Sequence, residues 1–356
     1  MKIRIFGLDT VTGVGIHSRN IYKCLRQLED ENISVEWISW LDKDGAIRAN
    51  LSSHETDLNI FFFYIEDLSK FFKGKSFFWY VFETTKPAAN LEKLQNQFDY
   101  LITSSEWGKK CLIENGFNPF KITVIPEGVN PWKFHPFFKK QKLGINKKIF
   151  LMIGKFENRK GYYEAIQAFS IAHESNKDLE LWIKADIIQG QESIESDLFV
   201  HFIKDFSRLP IRYFSGITSI SEIRNLYYTC DYFLFPSKGE GWGLSLIEAI
   251  ACGTPVICSN HSGQSEYLKL IPEGYISLPY MLKEVNCEIW KRNFPQIDNY
   301  WGKWAEFDIK LLSDIIIDAS KNDFKSEALK SSEIIRNEFS WEKSTFKLIK
   351  FLNDIS

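Results

Sequence analysis

The sequence lacks the patterns that mark a disulfide-stapled, zinc-binding or other metal-dependent protein. Its 356 residues include only six cysteines, and no two of them form a C-x-x-C pair. Scattered cysteines of this kind are typical of buried thiols in a reducing cytoplasm rather than of disulfides or zinc ligands. The six histidines show no H-E-x-x-H spacing. We therefore expect no metal site built from protein ligands.

Long apolar runs and a leader pattern are also missing. The apolar runs are far shorter than the ~20 residues that a membrane helix needs. The first six residues, MKIRIF, have the pattern of a short strand and not of a signal peptide. The sequence thus predicts a cytoplasmic protein, which would touch a membrane only at its inner surface.

Neither sign of charge dominates. The chain has 44 Lys and Arg residues against 46 Asp and Glu residues, which gives a net charge of −2. No global field favours a nucleic-acid partner. With 44% apolar and 25% charged residues the composition is that of a globular protein, and the length suits two α/β domains.

Short apolar segments alternate with helical patterns along the chain. Such alternation predicts mostly parallel sheets covered on both faces by helices. The predicted strands are Lys2–Gly7, Ser34–Trp40, Asp57–Ile65, Phe77–Glu83, Tyr100–Ser104, Ile122–Ile125, Lys148–Gly154, Leu179–Ala185, Ile211–Ser215, Tyr232–Pro236 and Pro255–Ser259. The predicted helices include Gly15–Leu28, Pro87–Gln97, Glu106–Asn115 and Ser340–Leu352.

A change of composition separates two domains. Four proline or glycine residues fall within 126–136, and a polar run, KKQK, follows at 139–142. This is the composition of a linker, so we place the boundary near 138–147. The segment 270–305 shows no regular pattern, and its aromatic residues predict a packed excursion. In two doubly wound domains, ligands are expected just after the strands, at their carboxyl ends.

The most informative stretch is 236–255, which reads PSKGEGWGLSLIEAIACGTP. A strand ends, a glycine-rich turn follows, and a helix begins near Leu244. Gly239, Gly241 and Gly243 allow a ligand to approach the backbone closely. The unpaired amides at the helix start, together with the helix dipole, form an anion site that suits a diphosphate.

Two carboxylates flank this turn. Glu240 lies in the turn, and Glu248 lies eight residues later on the helix. A carboxylate can accept hydrogen bonds from two neighbouring hydroxyls, as a ribose or a hexose presents them. A phosphate cradle with two such carboxylates predicts a site for a nucleotide-sugar.

The stretch resembles the Glu-x7-Glu signature of the retaining glycosyltransferases of family 4, which have the GT-B fold. The resemblance implies that Glu240 contacts the donor sugar and Glu248 the ribose. It implies that the backbone around Gly241, Trp242, Gly243 and Leu244 holds the phosphates. In the following loop, 259–266, Gly263 would border the donor sugar and Glu266 could cap a helix, whereas His261 is expected to be an ordinary loop histidine.

The segment IGKFENRKG at 153–161 resembles a second motif of the same family. By that resemblance Lys155 and Lys160 offset the charge of the diphosphate and stabilise it as it leaves. Lys155 stands where the family usually has arginine, so the bidentate fork is absent. Arg159 is an additional cation without an assigned role. Gly216 matches a family glycine beside the base, with Ile217 as a neighbour of the base.

Several residues of the first domain match the family on the acceptor side. Gly13 and Gly15, placed before the first helix, resemble the loop that approaches the donor from across the cleft. Glu83 stands where many members have a histidine or an aspartate, and it could orient the acceptor hydroxyl, act as a base, or form a structural ion pair. Glu127, in the segment 125–130, could touch donor or acceptor.

The resemblance implies a complete architecture and reaction. The expected fold is two Rossmann-like domains facing a central cleft, an acceptor domain 1–140 and a donor domain 141–339, with a helix at 340–356 returning to the first domain. The expected reaction moves a hexose-type sugar from a UDP-, GDP- or ADP-sugar, without a cofactor, to a glycan, a lipid-linked or another acceptor hydroxyl in polysaccharide or glycoconjugate synthesis. A lipid-linked acceptor would bring peripheral contact with a membrane.

Other functions remain open at this stage. A nucleotide-sugar epimerase would consume its substrate without an acceptor, and a phosphorylase would need a pyridoxal lysine for which no motif is present. A catalytically inactive GT-B subunit would keep the fold and bind a partner. An NAD-dependent oxidoreductase is disfavoured because Ser18 stands where the third glycine of the dinucleotide fingerprint belongs. The sequence does not indicate the sugar, the base, the acceptor or the oligomeric state.

Overall fold

The computed structural model describes residues 1–39, 54–63, 72–87, 90–136, 147–186, 204, 206–214, 216, 219–285 and 301–355. The chain divides into two compact units. The first comprises residues 1–128 and 338–356, and the second comprises residues 129–337.

The first unit is built on a six-stranded parallel sheet. Its strands lie in the order β2-β1-β3-β4-β5-β6. They are β1 (Lys2–Gly7), β2 (Ser34–Ser39), β3 (Leu58–Phe61), β4 (Lys75–Trp79), β5 (Tyr100–Thr103) and β6 (Ile122–Val124). The helices that follow them along the chain are α1 (Gly13–Arg26), α2 (Leu91–Gln97) and α3 (Glu106–Glu114).

Side-chain caps fix where these helices begin. The side chains of Thr12, Asn90 and Ser105 accept hydrogen bonds from backbone amides three residues further on. Each cap satisfies one of the amides that a helix leaves unpaired at its start. The core of this unit is rich in aromatic side chains, with Phe6 stacked on Phe61 at a centroid distance of 4.2 Å.

The second unit contains a second parallel sheet of six strands, in the order β12-β11-β10-β7-β8-β9. The strands are β7 (Lys148–Lys155), β8 (Leu179–Asp186), β9 (Ile211–Phe214), β10 (Tyr232–Phe235), β11 (Val256–Cys258) and β12 (Ile276–Ser277). The helices are α4 (Tyr162–Ser175), α5 (Ile220–Thr229), α6 (Leu244–Ala251), α7 (Ser265–Leu268), α8 (Ile309–Lys321) and α9 (Lys325–Glu338). An antiparallel hairpin joins β13 (Met281–Glu284) to β14 (Lys303–Glu306).

The strand order of the second sheet reverses between β7 and β10. These two strands are parallel neighbours, so the segments that follow them leave the same edge of the sheet. This is the switch point at which doubly wound sheets bind ligands. It brings the loop after β7 beside the glycine-rich turn after β10.

The last helix, α10 (Trp341–Ile355), belongs to the first unit, as the sequence predicts. It packs against α1, and its Leu348 and Leu352 side chains are fully buried. The Ser344 hydroxyl donates a 2.6 Å hydrogen bond to the carbonyl of Pro126. The helix begins after Ser340, whose hydroxyl accepts from the amide of Lys343 at 3.2 Å.

The predicted parallel sheets are confirmed, while some element bounds are wrong. The strand predicted over Phe77–Glu83 runs instead over Lys75–Trp79, so Glu83 lies four residues beyond its end. The first helix begins at Gly13 rather than Gly15, because Thr12 caps it. Strand β7 continues to Lys155.

Two predictions fall partly on residues outside the described ranges. The linker near 138–147 falls almost wholly outside them, and the domain bounds 1–140 and 141–339 stay a prediction. The segment 270–305 contains β12 and the hairpin, with 286–300 outside the described residues. In the described ranges, no helix is both long and apolar enough to cross a membrane.

Candidate functional site

Glu240 and Lys160 meet at the switch point of the second sheet. Lys160 lies in a 3-10 turn, Asn158–Lys160, after β7, and Glu240 lies in the turn after β10. Lys160 Nζ is 2.5 Å from Glu240 Oε1. Residues separated by 80 positions in the chain are thus joined by a charge-assisted hydrogen bond.

Glu240 is a buried, ionised carboxylate. It is 5% exposed, and Ser237 Oγ donates to its Oε1 at 2.5 Å while Arg159 NH1 lies 3.0 Å from the same atom. Burial acts to raise the pKa of Glu240, but the charges of Lys160 and Arg159 and the hydrogen bonds from Lys160 and Ser237 lower it to about 2. The carboxylate therefore keeps its charge across the neutral range.

Arg159 is the residue whose role the sequence did not reveal. Its side chain is almost fully buried, and it donates to the carbonyl of Gly239 at 2.7 Å and to Glu157 Oε2 at 2.9 Å. With the contact to Glu240, one guanidinium joins the loop after β7 to the turn after β10. In the sequence, Arg159 is marked only by its place in a short run of cationic residues. Such a run usually indicates a solvated loop.

Lys155 lies at the end of β7 and is linked to this cluster through Glu157, to which Arg159 also donates. Its side chain is 38% exposed, and its ammonium is 4.0 Å from Glu157 Oε1. It is thus the most accessible of the three cations in this segment. Its predicted contact with the diphosphate stays a prediction.

The glycine-rich turn is compact and buried. Gly243 has φ of +92°, the left-handed conformation that favours glycine, and it precedes the first residue of α6. Gly263 lies so close to Gly241 that a Cβ on it would be 1.9 Å from the Gly241 carbonyl oxygen. Trp242 is buried against Tyr267, with ring centroids 5.1 Å apart, so its backbone rather than its side chain is the part suited to a ligand.

The N-terminus of α6 provides amides for an anion. The carbonyl of Gly243 accepts the first helical hydrogen bonds, from the amides of Leu246 and Ile247. The amides of Leu244 and Ser245 precede these bonds and lie at the positive end of the helix dipole. The helix has eight residues and follows β10 at the switch point. This arrangement is able to hold a phosphate.

Glu248 lies on α6 in a different electrostatic setting from Glu240. Its side chain is half-buried, and Tyr227 Oη donates to its Oε2 at 3.3 Å. Burial raises the pKa of Glu248 to about 8, against a smaller lowering by the Tyr227 hydrogen bond. The two predicted carboxylates thus have pKa values shifted in opposite directions.

The loop after β11 is bonded to the backbone of Glu240. The amide of Glu240 donates to Ser262 Oγ at 2.9 Å, and the amide of Gly263 donates to the carbonyl of Glu240 at 2.8 Å. His261 is buried, and burial lowers its pKa to about 4. Glu266 lies in the first turn of α7 and pairs with Lys269 at 2.6 Å. Ser262 is a further residue that sequence reasoning missed.

Gly216 lies just after β9 in the second unit. It has φ of +68°, it is exposed, and a Cβ on it would meet nothing within 4 Å. Its predicted neighbour of the base, Ile217, lies outside the described residues.

The remaining predicted residues lie in the first unit. Gly13 is the exposed first residue of α1, and Gly15 is buried with its Cα close to the Thr10 carbonyl oxygen, which a Cβ would approach to 2.2 Å. Glu83 is half-buried in the loop after β4. Their predicted roles toward donor and acceptor stay predictions.

Glu127 is a buried residue of the first unit, and its predicted contact with donor or acceptor stays a prediction. It is 3% exposed, Ser104 Oγ donates to its Oε1 at 2.9 Å, and His17 Nδ1 lies 3.6 Å from its Oε2. Burial lowers the pKa of His17 to about 3. Within the described residues, no group of three or more His, Cys, Asp or Glu side chains could hold a metal ion.

Comparison with known proteins points to one family. The family described as "Glycosyl transferases group 1" matches residues 135–285, which include β7, the turn after β10 and α6. Mannosylfructose-phosphate synthase of Agrobacterium fabrum is 27% identical over 174 residues, 46% of this chain and 38% of that protein. An Escherichia coli UDP-Gal:alpha-D-GlcNAc-diphosphoundecaprenol alpha-1,3-galactosyltransferase is 28% identical over 173 residues, 47% of this chain and 43% of that protein. The chain thus matches less than half the length of these curated relatives.

Solved structures extend the likeness in fold to the whole chain. Anabaena HepE, solved with UDP and glucose, has a TM-score of 0.69 at 14% identity and covers 99% of both chains. Sucrose-phosphate synthase of Thermosynechococcus elongatus has a TM-score of 0.69 at 15% identity and covers 100% of this chain and 99% of its own. With the two parallel six-stranded sheets and the returning helix, these findings show that the chain has the GT-B fold and that its residues 135–285 resemble the glycosyl transferase group 1 family.

Proposed function

We propose that the protein is a retaining glycosyltransferase that moves a hexose-type sugar from a nucleoside-diphosphate sugar to an acceptor hydroxyl. The acceptor is a glycan, a lipid-linked or another hydroxyl compound of polysaccharide or glycoconjugate synthesis. The observation that carries the proposal is the meeting of Lys160 with the buried carboxylate of Glu240, 2.5 Å apart, next to the start of α6. A cation, an ionised carboxylate and free helix amides at one switch point suit a sugar diphosphate.

Each part of the cluster has a distinct task in this reaction. The amides of Leu244 and Ser245 hold the diphosphate, and Lys155 and Lys160 stabilise the negative charge that grows on it as the bond to the sugar breaks. Glu240 accepts hydrogen bonds from hydroxyls of the donor sugar, and Glu248 accepts them from the ribose. The acceptor oxygen forms its bond to the anomeric carbon on the face that the diphosphate leaves. Its proton passes to the departing diphosphate, so charge balances without a metal ion.

Binding is tested by thermal shift against UDP, GDP, ADP and dTDP. A ligand at about 100 times its dissociation constant adds about 2.7 kcal/mol to the free energy of unfolding. UDP is the first candidate, since the HepE neighbour was solved with UDP. Lys160→Ala and Glu248→Ala should both lose the shift. If none of the four diphosphates shifts the wild type, the proposal is wrong.

Turnover separates the transferase from its rivals. The wild type should release the nucleoside diphosphate from its nucleotide-sugar faster with an acceptor than without one, and the product should keep the donor's anomeric configuration in an NMR spectrum. An interconversion of two nucleotide-sugars would identify an epimerase. Nucleotide binding without turnover in a screen of sugar and lipid acceptors would favour an inactive GT-B subunit.

A further inference from the structure

We infer that Arg159 is the positioning residue of the site, and that it holds Glu240 in place while Lys160 is shared with the bound diphosphate. This inference rests on the proposed function and deepens it. It gives a role to Arg159, a cation to which the family motif assigns none.

The guanidinium of Arg159 fastens two loops to each other. Its NH1 lies 3.0 Å from Glu240 Oε1 and donates to the Gly239 carbonyl at 2.7 Å, and its NH2 donates to Glu157 Oε2 at 2.9 Å. The main chain repeats the link, because the amide of Lys238 donates to the carbonyl of Arg159 at 2.7 Å. A planar guanidinium has five N–H donors in a fixed fork, and it can make these contacts at the same time.

The three cations of the segment 153–161 differ in the exposed fraction of their side chains, and therefore in how easily a ligand reaches them. The exposed fraction of the side chain is 7% for Arg159, 14% for Lys160 and 38% for Lys155. A diphosphate would reach the two lysines before it reached Arg159. Arg159 is therefore less accessible to a ligand than either lysine, although it contacts the same oxygen of Glu240 as Lys160 does.

This order matters when the diphosphate arrives. Lys160 now donates to Glu240, and a phosphate oxygen would compete for the same ammonium. A buried carboxylate that loses its cation is costly, since its charge is then unpaired in a medium of low polarity. Arg159 stays beside Glu240 in either state, so the carboxylate remains charged and aimed at the donor sugar.

In the described part of the turn after β10, no other buried cation is placed to substitute for Arg159. Lys238 is 4% exposed, and its ammonium contacts Glu164 at 2.8 Å and Glu306 at 3.1 Å. Both of these carboxylates lie on other elements, α4 and β14. Lys238 therefore connects the turn to α4 and β14 rather than to Glu240.

The test compares Arg159→Gln with Glu240→Gln, the double variant and Arg159→Lys. Two readouts are needed: the dissociation constant of UDP, and the kcat for UDP release from UDP-glucose. If GDP gives the larger shift in the thermal screen, GDP and GDP-mannose take their place. Circular dichroism first confirms that each variant is folded.

Arg159→Gln should change the dissociation constant of UDP by less than about 3-fold and lower kcat by about 10-fold or more, and we expect the same of Glu240→Gln. The double variant should be no slower than the slower single variant, because both changes remove one interaction. Arg159→Lys should recover part of kcat, since it keeps the charge and loses the fork.

Several results would overturn the inference. One is an unchanged kcat in Arg159→Gln, and another is a double variant in which the two losses multiply. A third is a loss of UDP affinity as large as that of Lys160→Ala, which would mean that Arg159 contacts phosphate or only supports the fold. Failure of the proposed function is seen separately, in a wild type that neither binds a nucleoside diphosphate nor releases one, and that result would overturn both.

Discussion

At the residue scale, the two glutamates of the Glu-x7-Glu pattern behave as different chemical groups. Glu240 has two cations and a hydroxyl around one oxygen, whereas Glu248 has the Tyr227 hydroxyl and no cation among its described contacts. The environment therefore lowers one pKa to about 2 and raises the other to about 8. The cations around Glu240 keep it charged, whereas burial without a cation favours the neutral form of Glu248.

The raised pKa of Glu248 predicts a dependence of stability on pH. Between its ordinary pKa of 4.5 and about 8, the folded protein keeps this proton while the unfolded chain loses it. The free energy of unfolding should therefore fall as the pH rises through this window. Glu248→Gln removes the titration, so in denaturant melts the variant should gain stability relative to the wild type between about pH 5 and about pH 8. An equal difference at both pH values would contradict the assignment.

At the scale of elements, the site depends on three loops that pack backbone against backbone. The turn after β10 is held by the Arg159 carbonyl on one side and by Ser262 on the other. Its position is thus set by neighbouring loops as well as by its own glycines. A change in one loop should therefore shift the turn and the N-terminus of α6.

Gly263→Ala tests this dependence. The new Cβ would lie 1.9 Å from the Gly241 carbonyl oxygen and 2.3 Å from its carbon, so the turn must move. We expect a loss of about 1–3 kcal/mol in the free energy of unfolding and a weaker thermal shift with the nucleotide.

Gly154→Ala in β7 is the matched control for that variant. A Cβ at Gly154 would meet its nearest neighbour, Tyr162 Oη, at the ordinary distance of 3.4 Å. This variant should unfold within about 0.5 kcal/mol of the wild type. Equal behaviour of the two variants would show that the contact between Gly263 and Gly241 does not set the turn.

At the scale of the whole molecule, the chain crosses back to its first unit for its last helix. Residues 338–356 belong with residues 1–128, although 209 intervening residues, 129–337, form the second unit. The first unit is complete only when α10 covers α1. Its stability therefore depends on the last residues of the sequence.

Leu348→Ala should destabilise the first unit. Leu348 is fully buried on α10, and truncating a leucine at such a site costs about 2–5 kcal/mol. Hydrogen exchange followed by mass spectrometry should show faster exchange in β1 to β6. Lys347→Ala, at the adjacent exposed position, should stay within about 0.5 kcal/mol of the wild type. Unchanged exchange in Leu348→Ala would mean that α10 does not support the sheet.

The sequence by itself determined the fold class and the parallel strands, and it predicted the place of the site. Apolar segments that alternate with helices favour a parallel sheet covered by helices. The glycine-rich turn before α6 is a local sequence pattern, so it can be recognised without knowledge of the tertiary structure. The charge of Glu240, the partners of Arg159 and the burial of Glu127 were decided by the tertiary structure alone. The physical reason is that each depends on groups far apart in sequence, such as residues 159 and 240, and burial and pairing exist only once the strand order brings such groups together.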